Sequence, residues 1–245
     1  MNQPVQSTPN DLGTSSPISA MFSVFTEPRK TFEGLRASTP WILPVIVIFL
    51  AVAGFTYVNW PYLVDQRIES FRANEQLPPD AKASILEGMQ ESRDNPGIKD
   101  IVPGPIFVVL FSLLGAALWL LAGNVVMGGD GTFKQLWSAF NYAGLIGVLE
   151  MVLKTVMIQM KQSADVYTSL ALLAPDIESS SFTFRALDAV DVFSLWFFYV
   201  MALGVSVMCK VKPQKAVGVS FVIFAVWAFG IKAGLGSVLG QYVGM

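Results

Sequence analysis

The 245-residue chain contains no histidine and one cysteine, Cys209. Without histidine, Ser-His-Asp and Cys-His catalysis, histidine zinc sites and histidine ligation of haem are excluded. One cysteine excludes an internal disulfide and a thiolate metal site. Charge is also scarce. Asp, Glu, Lys and Arg make up 14% of the residues, where soluble domains carry about 25%. The net charge is −2, and no basic tract marks a nucleic-acid surface. Residues 1–17 lack the basic start and apolar core of a secretory leader. Their Pro, Ser, Thr and Asn content reads as a disordered tail. With no carboxylate, thiol or metal motif in view, an enzyme is the least supported class, and no cofactor or metal is expected.

Apolar residues are abundant, at 53%, and the mean hydropathy is +0.54. So little charge cannot keep a chain of this size in water, so lipid must solvate part of it. A spanning helix needs about 20 predominantly apolar residues, and five stretches qualify. The first, 41–60, has Pro40, Trp41 and Pro44 at one end and Trp60 and Tyr62 at the other, the aromatic placement of a lipid–water interface. The second, 105–127, is uncharged. The third, 140–160, contains Glu150 and Lys154. The fourth is 190–209, and the fifth, 217–239, contains Lys232. The expected fold is an all-α membrane protein: a bundle of five transmembrane helices over 41–245, N-terminal amphipathic helices over 18–40, and a small extracytoplasmic helical loop within 61–104.

Orientation follows from Lys and Arg, which concentrate in cytoplasmic connections. With the N-terminus in the cytoplasm, the inner segments hold Arg29, Lys30, Arg36, Lys134, Lys210, Lys212 and Lys215. The connection at 209–216 has three of these lysines and no acid. The outer segments hold more acidic than basic residues. The N-terminus is therefore expected inside and the C-terminus outside.

Before the first span, Ile18, Met21, Phe22 and Phe25 recur at i, i+3, i+4, i+7. Pro28 starts a second helix, with Phe32 and Leu35 apolar and Arg29, Lys30 and Arg36 basic. This pattern suits a membrane-surface segment whose cations meet anionic headgroups. The other reading is a cytoplasmic helix packed on the bundle. In the outer loop, Ile68 and Phe71 prolong the first span. Pro78, Pro79 and Asp80 start a helix with Ile85, Leu86 and Met89 on its apolar face, and Asn95-Pro96-Gly97 ends it. Residues 161–189 read as a partly ordered loop.

Glu150 and Lys154 are four residues apart, on one helical face. A lone charge at mid-membrane costs about 2.5–3.5 kcal/mol, which pairing or water reduces. Lys154 and Lys232 reach similar depths, about 21–23 Å from their inner ends at 1.5 Å per residue. Asp188 and Asp191 enter from the outer end of the fourth span. Glu150, Lys154, Asp191 and Lys232 are thus candidate ligand-binding residues for a zwitterionic or anionic group such as a lipid headgroup. An internal ion-pair network that fixes helix packing is the first reading, and a ligand site the second. Gly230 and Gly234, and Gly236 and Gly240, are small-xxx-small pairs that let helices approach closely. An intramolecular contact is the first reading and a homo-oligomer interface the second. Gly144 and Gly147, with Ser112 and Ala116, are weaker cases. The glycine-rich 128–132 connection follows a membrane helix and lacks a Gly-Lys-Ser/Thr element, so it reads as a tight turn and not a nucleotide site.

Four segments, in order, resemble the YIP (Ypt-interacting protein) family, in particular its bacterial branch. They are Phe25-Thr26-Glu27-Pro28-Arg29-Lys30-Thr31-Phe32 with Pro40-Trp41 and Pro44; Gly128-Gly129-Asp130-Gly131-Thr132-Phe133-Lys134-Gln135-Leu136 with Tyr142-Ala143; Asp191-Val192-Phe193-Ser194-Leu195-Trp196 with Ala202-Leu203-Gly204 and Lys210; and Lys215-Ala216. The resemblance covers about 21–239. It implies a five-helix integral membrane protein of the bacterial inner membrane with a cytoplasmic N-terminus. Eukaryotic members are associated with Rab-type small GTPases and vesicle traffic, which a bacterial member would lack. The family supplies no catalytic residues. The expected function is that of a non-enzymatic membrane protein that organises partner proteins or the bilayer. The alternative is a transporter or lipid-handling protein acting at Glu150, Lys154 and Lys232. Membrane lipids are the expected partners.

Overall fold

The computed structural model describes residues 16–73, 79–173, 177 and 181–235, and every named element among them is helical. Most of the tail expected at 1–17 lies outside them, as do Pro78, Pro175, Gly236 and Gly240. Two short helices come first, α1 (Pro17–Thr26) and α2 (Pro28–Leu35). Then follow α3 (Ile42–Ala73), α4 (Pro79–Asp94), α5 (Ile98–Ile101) and α6 (Pro103–Leu121), the last running into a π-helical turn at Ala122–Val126. Next are α7 (Phe133–Lys161), α8 (Phe182–Asp188), α9 (Val192–Met208) and α10 (Pro213–Ala225), which continues as a π-helix through Val226–Leu235.

Local chemistry sets the ends of these helices. Thr132 and Gln135 form a reciprocal capping box at the start of α7, where Gln135 Oε1 accepts from the Thr132 N–H at 3.0 Å. Gln162, in the left-handed region with φ 54°, ends that helix. Proline at the first turn starts α1, α2, α6 and α10, where its missing N–H would have no partner anyway. Pro61 lies inside α3, where it removes one intrahelical hydrogen bond. It falls beside Trp60, where the predicted apolar run ends and the polar extension begins.

Helix α9 lies innermost, packed against α2, α7 and α10, while α7 also contacts α3 and α6. Val200, Met201, Ala202, Val205 and Met208 of α9 are buried against Leu136, Ala139, Tyr142 and Ile146 of α7 and Phe32 and Leu35 of α2 in one continuous core. A second, smaller core lies at the opposite end from α1 and α2. There Trp60, Val64 and Ile68 of α3 meet Leu86 and Met89 of α4. Trp60 Nε1 donates to the Ser92 carbonyl at 2.7 Å, and Arg93 grips Asp65 through two bonds of 2.6 and 2.8 Å. These contacts hold the helical cap read from the outer loop.

Four helical segments have the length and apolar composition to cross a membrane: Ile42–Arg72, Ile98–Val126, Phe133–Lys161 and Pro213–Gly230. The fourth predicted stretch, 190–209, forms a helix of only 17 residues, about 25 Å long. It is short because Asp191 serves as its cap and Lys210 takes a left-handed conformation, φ 56°, just after its end. The partly ordered loop at 161–189 carries short helical elements, and two further expectations change. Within 161–189, Ser181 caps α8, and Leu170–Leu173 is a 3-10 turn. On α1 the residues facing the core are Ala20 and Val24, with Met21 and Phe25 half-buried, while Ile18 and Phe22 of the predicted stripe point away. Gly230 meets no other helix: the nearest atom to an added Cβ is its own helix's Val226, at 4.0 Å. Close small-residue contacts between the spanning helices lie elsewhere. A Cβ on Gly115 would come within 2.5 Å of the Phe140 ring, and one on Gly144 within 3.1 Å of Ile48.

Candidate functional site

Helices α1 and α2 form a platform on one end of the bundle. Ser16 caps α1 by accepting from the Ser19 N–H at 3.1 Å, and the Tyr142 hydroxyl donates to the Pro17 carbonyl at 3.3 Å. A bond of 2.7 Å between Ser23 Oγ and Thr31 Oγ1 ties the two helices together. Phe32 fits against Gly204 of α9, where an added Cβ would come 3.1 Å from its ring. Phe25 meets Trp196 edge-on, with centroids 5.9 Å apart. The platform is thus fastened by its inner side chains, while Ile18 and Phe22 remain 64% and 72% exposed. The cations read as headgroup contacts are divided. Arg29 pairs with Glu33 and Lys30 with Glu27, each at 3.1 Å within the same stretch of chain. Exposed pairs of this kind are worth about 0–1 kcal/mol, so both cations stay exchangeable. Arg36 has no ion pair among the described residues and adds an attractive charge near Asp130.

The glycine-rich connection lies at the same end. The π-helical turn after α6 sets Asn124 to clasp it. Asn124 Nδ2 donates to the Gly131 carbonyl at 2.8 Å, and Oδ1 accepts from the Gly131 N–H at 2.9 Å. Three glycines close around Cys209. Added Cβ atoms would fall 2.4 Å from its sulfur at Gly123, 2.5 Å from it at Gly131 and 2.6 Å from its carbonyl oxygen at Gly129. Lys210 pairs with Asp130 at 2.5 Å, and Lys215 donates to the Met127 carbonyl at 3.0 Å. The Lys210 hydrogen bond holds the Asp130 carboxyl below the ordinary carboxylate range. This is a lock between the α6–α7 and α9–α10 connections. Its crowding explains why glycines are required there without invoking phosphate.

The predicted intramembrane charges form separate pairs. Glu150 and Lys154 meet at 2.6 Å along α7, both partly exposed. Lys232 instead meets Asp188, with 2.9 Å to its carboxylate and 2.7 Å to its carbonyl, and lies 5.9 Å from the Trp227 ring centroid. Ser169 supports the same carboxylate at 2.9 Å. Asp191 belongs to neither pair. It caps α9, accepting from the Ser194 N–H at 2.8 Å and from the Ser194 hydroxyl. No hydrogen bond or ion pair among the described residues joins Glu150–Lys154 to Lys232 or Asp191. A polar tie that the sequence reading missed sits between α3 and α7. The Asn59 amide donates to Thr155 Oγ1 at 3.0 Å and accepts from Gln159 at 3.3 Å, with Asn59 buried. The signal was there: a lone Asn in the first apolar run, and Thr155 and Gln159 at helical spacing.

A family model for the Yip1 domain matches residues 22–233. The chain belongs to the Yip1 domain family. The comparisons with curated proteins and with solved structures gave no match. The Yip1 domain takes in α2 through α10, the second half of α1, and Lys232 in the π-helix, so the glycine lock, the charge pairs and all of the platform but the start of α1 lie inside it. With its spanning-length apolar helices, this Yip1 domain chain is an integral membrane protein of all-α architecture. Ile18 falls before the match and Phe22 is its first residue.

Proposed function

We propose that the protein is a non-enzymatic membrane organiser. It presents α1 and α2 to partner proteins or to the bilayer surface. One observation carries this reading: a platform fastened by buried Val24, Phe32 and Leu35 leaves two large apolar side chains, Ile18 and Phe22, on its open side. A helix docked that firmly has already lost the disorder a free amphipathic segment would lose on binding. The alternative, a ligand held at Glu150, Lys154, Asp191 and Lys232, has less support, because each of these groups already has a protein partner.

The same proposal sets the platform and the lysine-bearing 209–216 connection in the cytoplasm and the helical cap outside. Lysine concentration supports this. It also has α9 crossing as the fifth span. At 17 residues α9 meets the lower limit for a spanning helix, and enclosure by its neighbours suits a short one. The functional test exchanges Ile18 and Phe22 for serine in the full-length protein. The variant is expected to keep its thermal stability in detergent and to lose its in-cell cross-linked partners or its cellular role. A double variant that retains both would refute the platform reading.

A further inference from the structure

A cavity of about 360 Å³ opens beside the platform, between the start of α3 and the first turn of α7. Its polar rim is Ser38, Thr39 and Lys134, and its apolar wall is Trp41, Leu43 and Ile46. Its volume lies within the roughly 300–1,000 Å³ typical of small-molecule sites. We propose that this cavity holds one phospholipid with an anionic headgroup, its phosphate at Lys134 and the start of an acyl chain against Trp41 and Ile46.

Four features favour that occupant. First, Lys134, the one cation lining the cavity, is exposed and, like Arg36, forms no ion pair among the described residues, whereas Arg29, Lys30 and Lys210 at the same end each have a carboxylate. Second, no acidic residue lines the cavity, so nothing there offsets an incoming anion. Third, Ile42 and Ile46 are exposed on the flank of a membrane-spanning helix, so the cavity's apolar side is continuous with the surface that meets hydrocarbon. A water-soluble anion would gain nothing from that side, but an acyl chain would. Fourth, the aromatic wall is rigid. Trp41 stacks on Trp137 at 4.3 Å, and Trp137 Nε1 donates to Ser112 Oγ at 2.9 Å. Tryptophan at the end of a spanning-length helix marks the headgroup level. The site is independent of Ile18 and Phe22 and of the proposed orientation.

The test titrates purified full-length protein in detergent with phosphatidylglycerol or phosphatidylcholine of matched chains, reading bound lipid by native mass spectrometry. One phosphatidylglycerol should be retained per chain, favoured about fivefold over phosphatidylcholine, the effect of one basic side chain on an anionic lipid. Lys134→Gln should abolish the preference, weakening phosphatidylglycerol binding more than phosphatidylcholine binding. Lys134→Arg should retain it, and Lys161→Gln, at the opposite end, should have no effect. Equal binding of the two lipids by the unaltered protein would overturn the proposal. So would an unchanged preference in Lys134→Gln. Displacement of the lipid by millimolar inorganic phosphate would also overturn it, by making a free anion the ligand.

Discussion

Replacing Phe32 by alanine should release the platform without unfolding the bundle. Phe32 is buried and fills the space between α2 and α9 beside Gly204. Core Phe→Ala changes cost about 3–5 kcal/mol. The bundle beneath can relax little here, because Ala139 and Gly204 are already in close contact. A loss of about 3 kcal/mol at a docked element multiplies its open population by roughly a hundredfold. Local opening of this sort does not require global unfolding. Trypsin reports it directly, since Arg29, Lys30 and Arg36 lie on or just after α2. In detergent, Phe32→Ala should be cut at these sites far faster than the unaltered protein, with the thermal midpoint of the bundle nearly unmoved. Phe22→Ala, at an open position, should leave the cleavage rate unchanged. Equal cleavage in Phe32→Ala and the unaltered protein would refute the docking described for α2. A fall of the whole transition would instead make the platform part of the bundle's cooperative unit.

Other consequences follow from the same contacts. Glu150→Gln should lower thermal stability by about 1–3 kcal/mol by leaving Lys154 without its carboxylate, and a Glu150→Leu, Lys154→Leu double variant should recover most of the loss. Gly129→Ala should cost about 1–3 kcal/mol, since its Cβ would meet Cys209 backbone oxygen at 2.6 Å. Gly147→Ala, with nothing within 4 Å, should gain roughly 0.5–1 kcal/mol in the same melting assay. The depressed Asp130 carboxyl contributes stability that is present above its unfolded pKa of about 3.9 and lost as pH falls through the lower folded value. A pH series of melts should therefore show an acid-side decline that is smaller in Asp130→Asn.

The bundle and its helical cap were legible because each rests on short-range rules. Apolar run length marks the spans, and the Pro79 start with Leu86 and Met89 marks α4. The glycine connection was correctly read as a turn, yet nothing in the sequence revealed that Gly123, Gly129 and Gly131 close around Cys209, since that neighbour lies in another connection. Partner choice failed for the same reason. Lys232 meets Asp188 and not Asp191 because Asp191 is occupied as a cap, which depends on where α9 begins. The stripe read on α1 was apolar, but Ala20 and Val24 face the core because close helix contact at that side favours smaller residues. The cavity at Lys134 joins residues almost a hundred positions apart, and no local pattern announces it.

The central claim is that α9 crosses the membrane, with the platform and the 209–216 connection on the cytoplasmic side. It is tested most directly by cysteine accessibility. Starting from Cys209→Ala, which removes the chain's single cysteine, the substitutions Ser38→Cys, Ser163→Cys and Lys212→Cys are made one at a time. An impermeant thiol reagent is then applied to intact cells. The account predicts labelling of Ser163→Cys in intact cells, and of Ser38→Cys and Lys212→Cys only after permeabilisation. Labelling of Ser163→Cys and Lys212→Cys from the same side would show that α9 does not cross, and would contradict it.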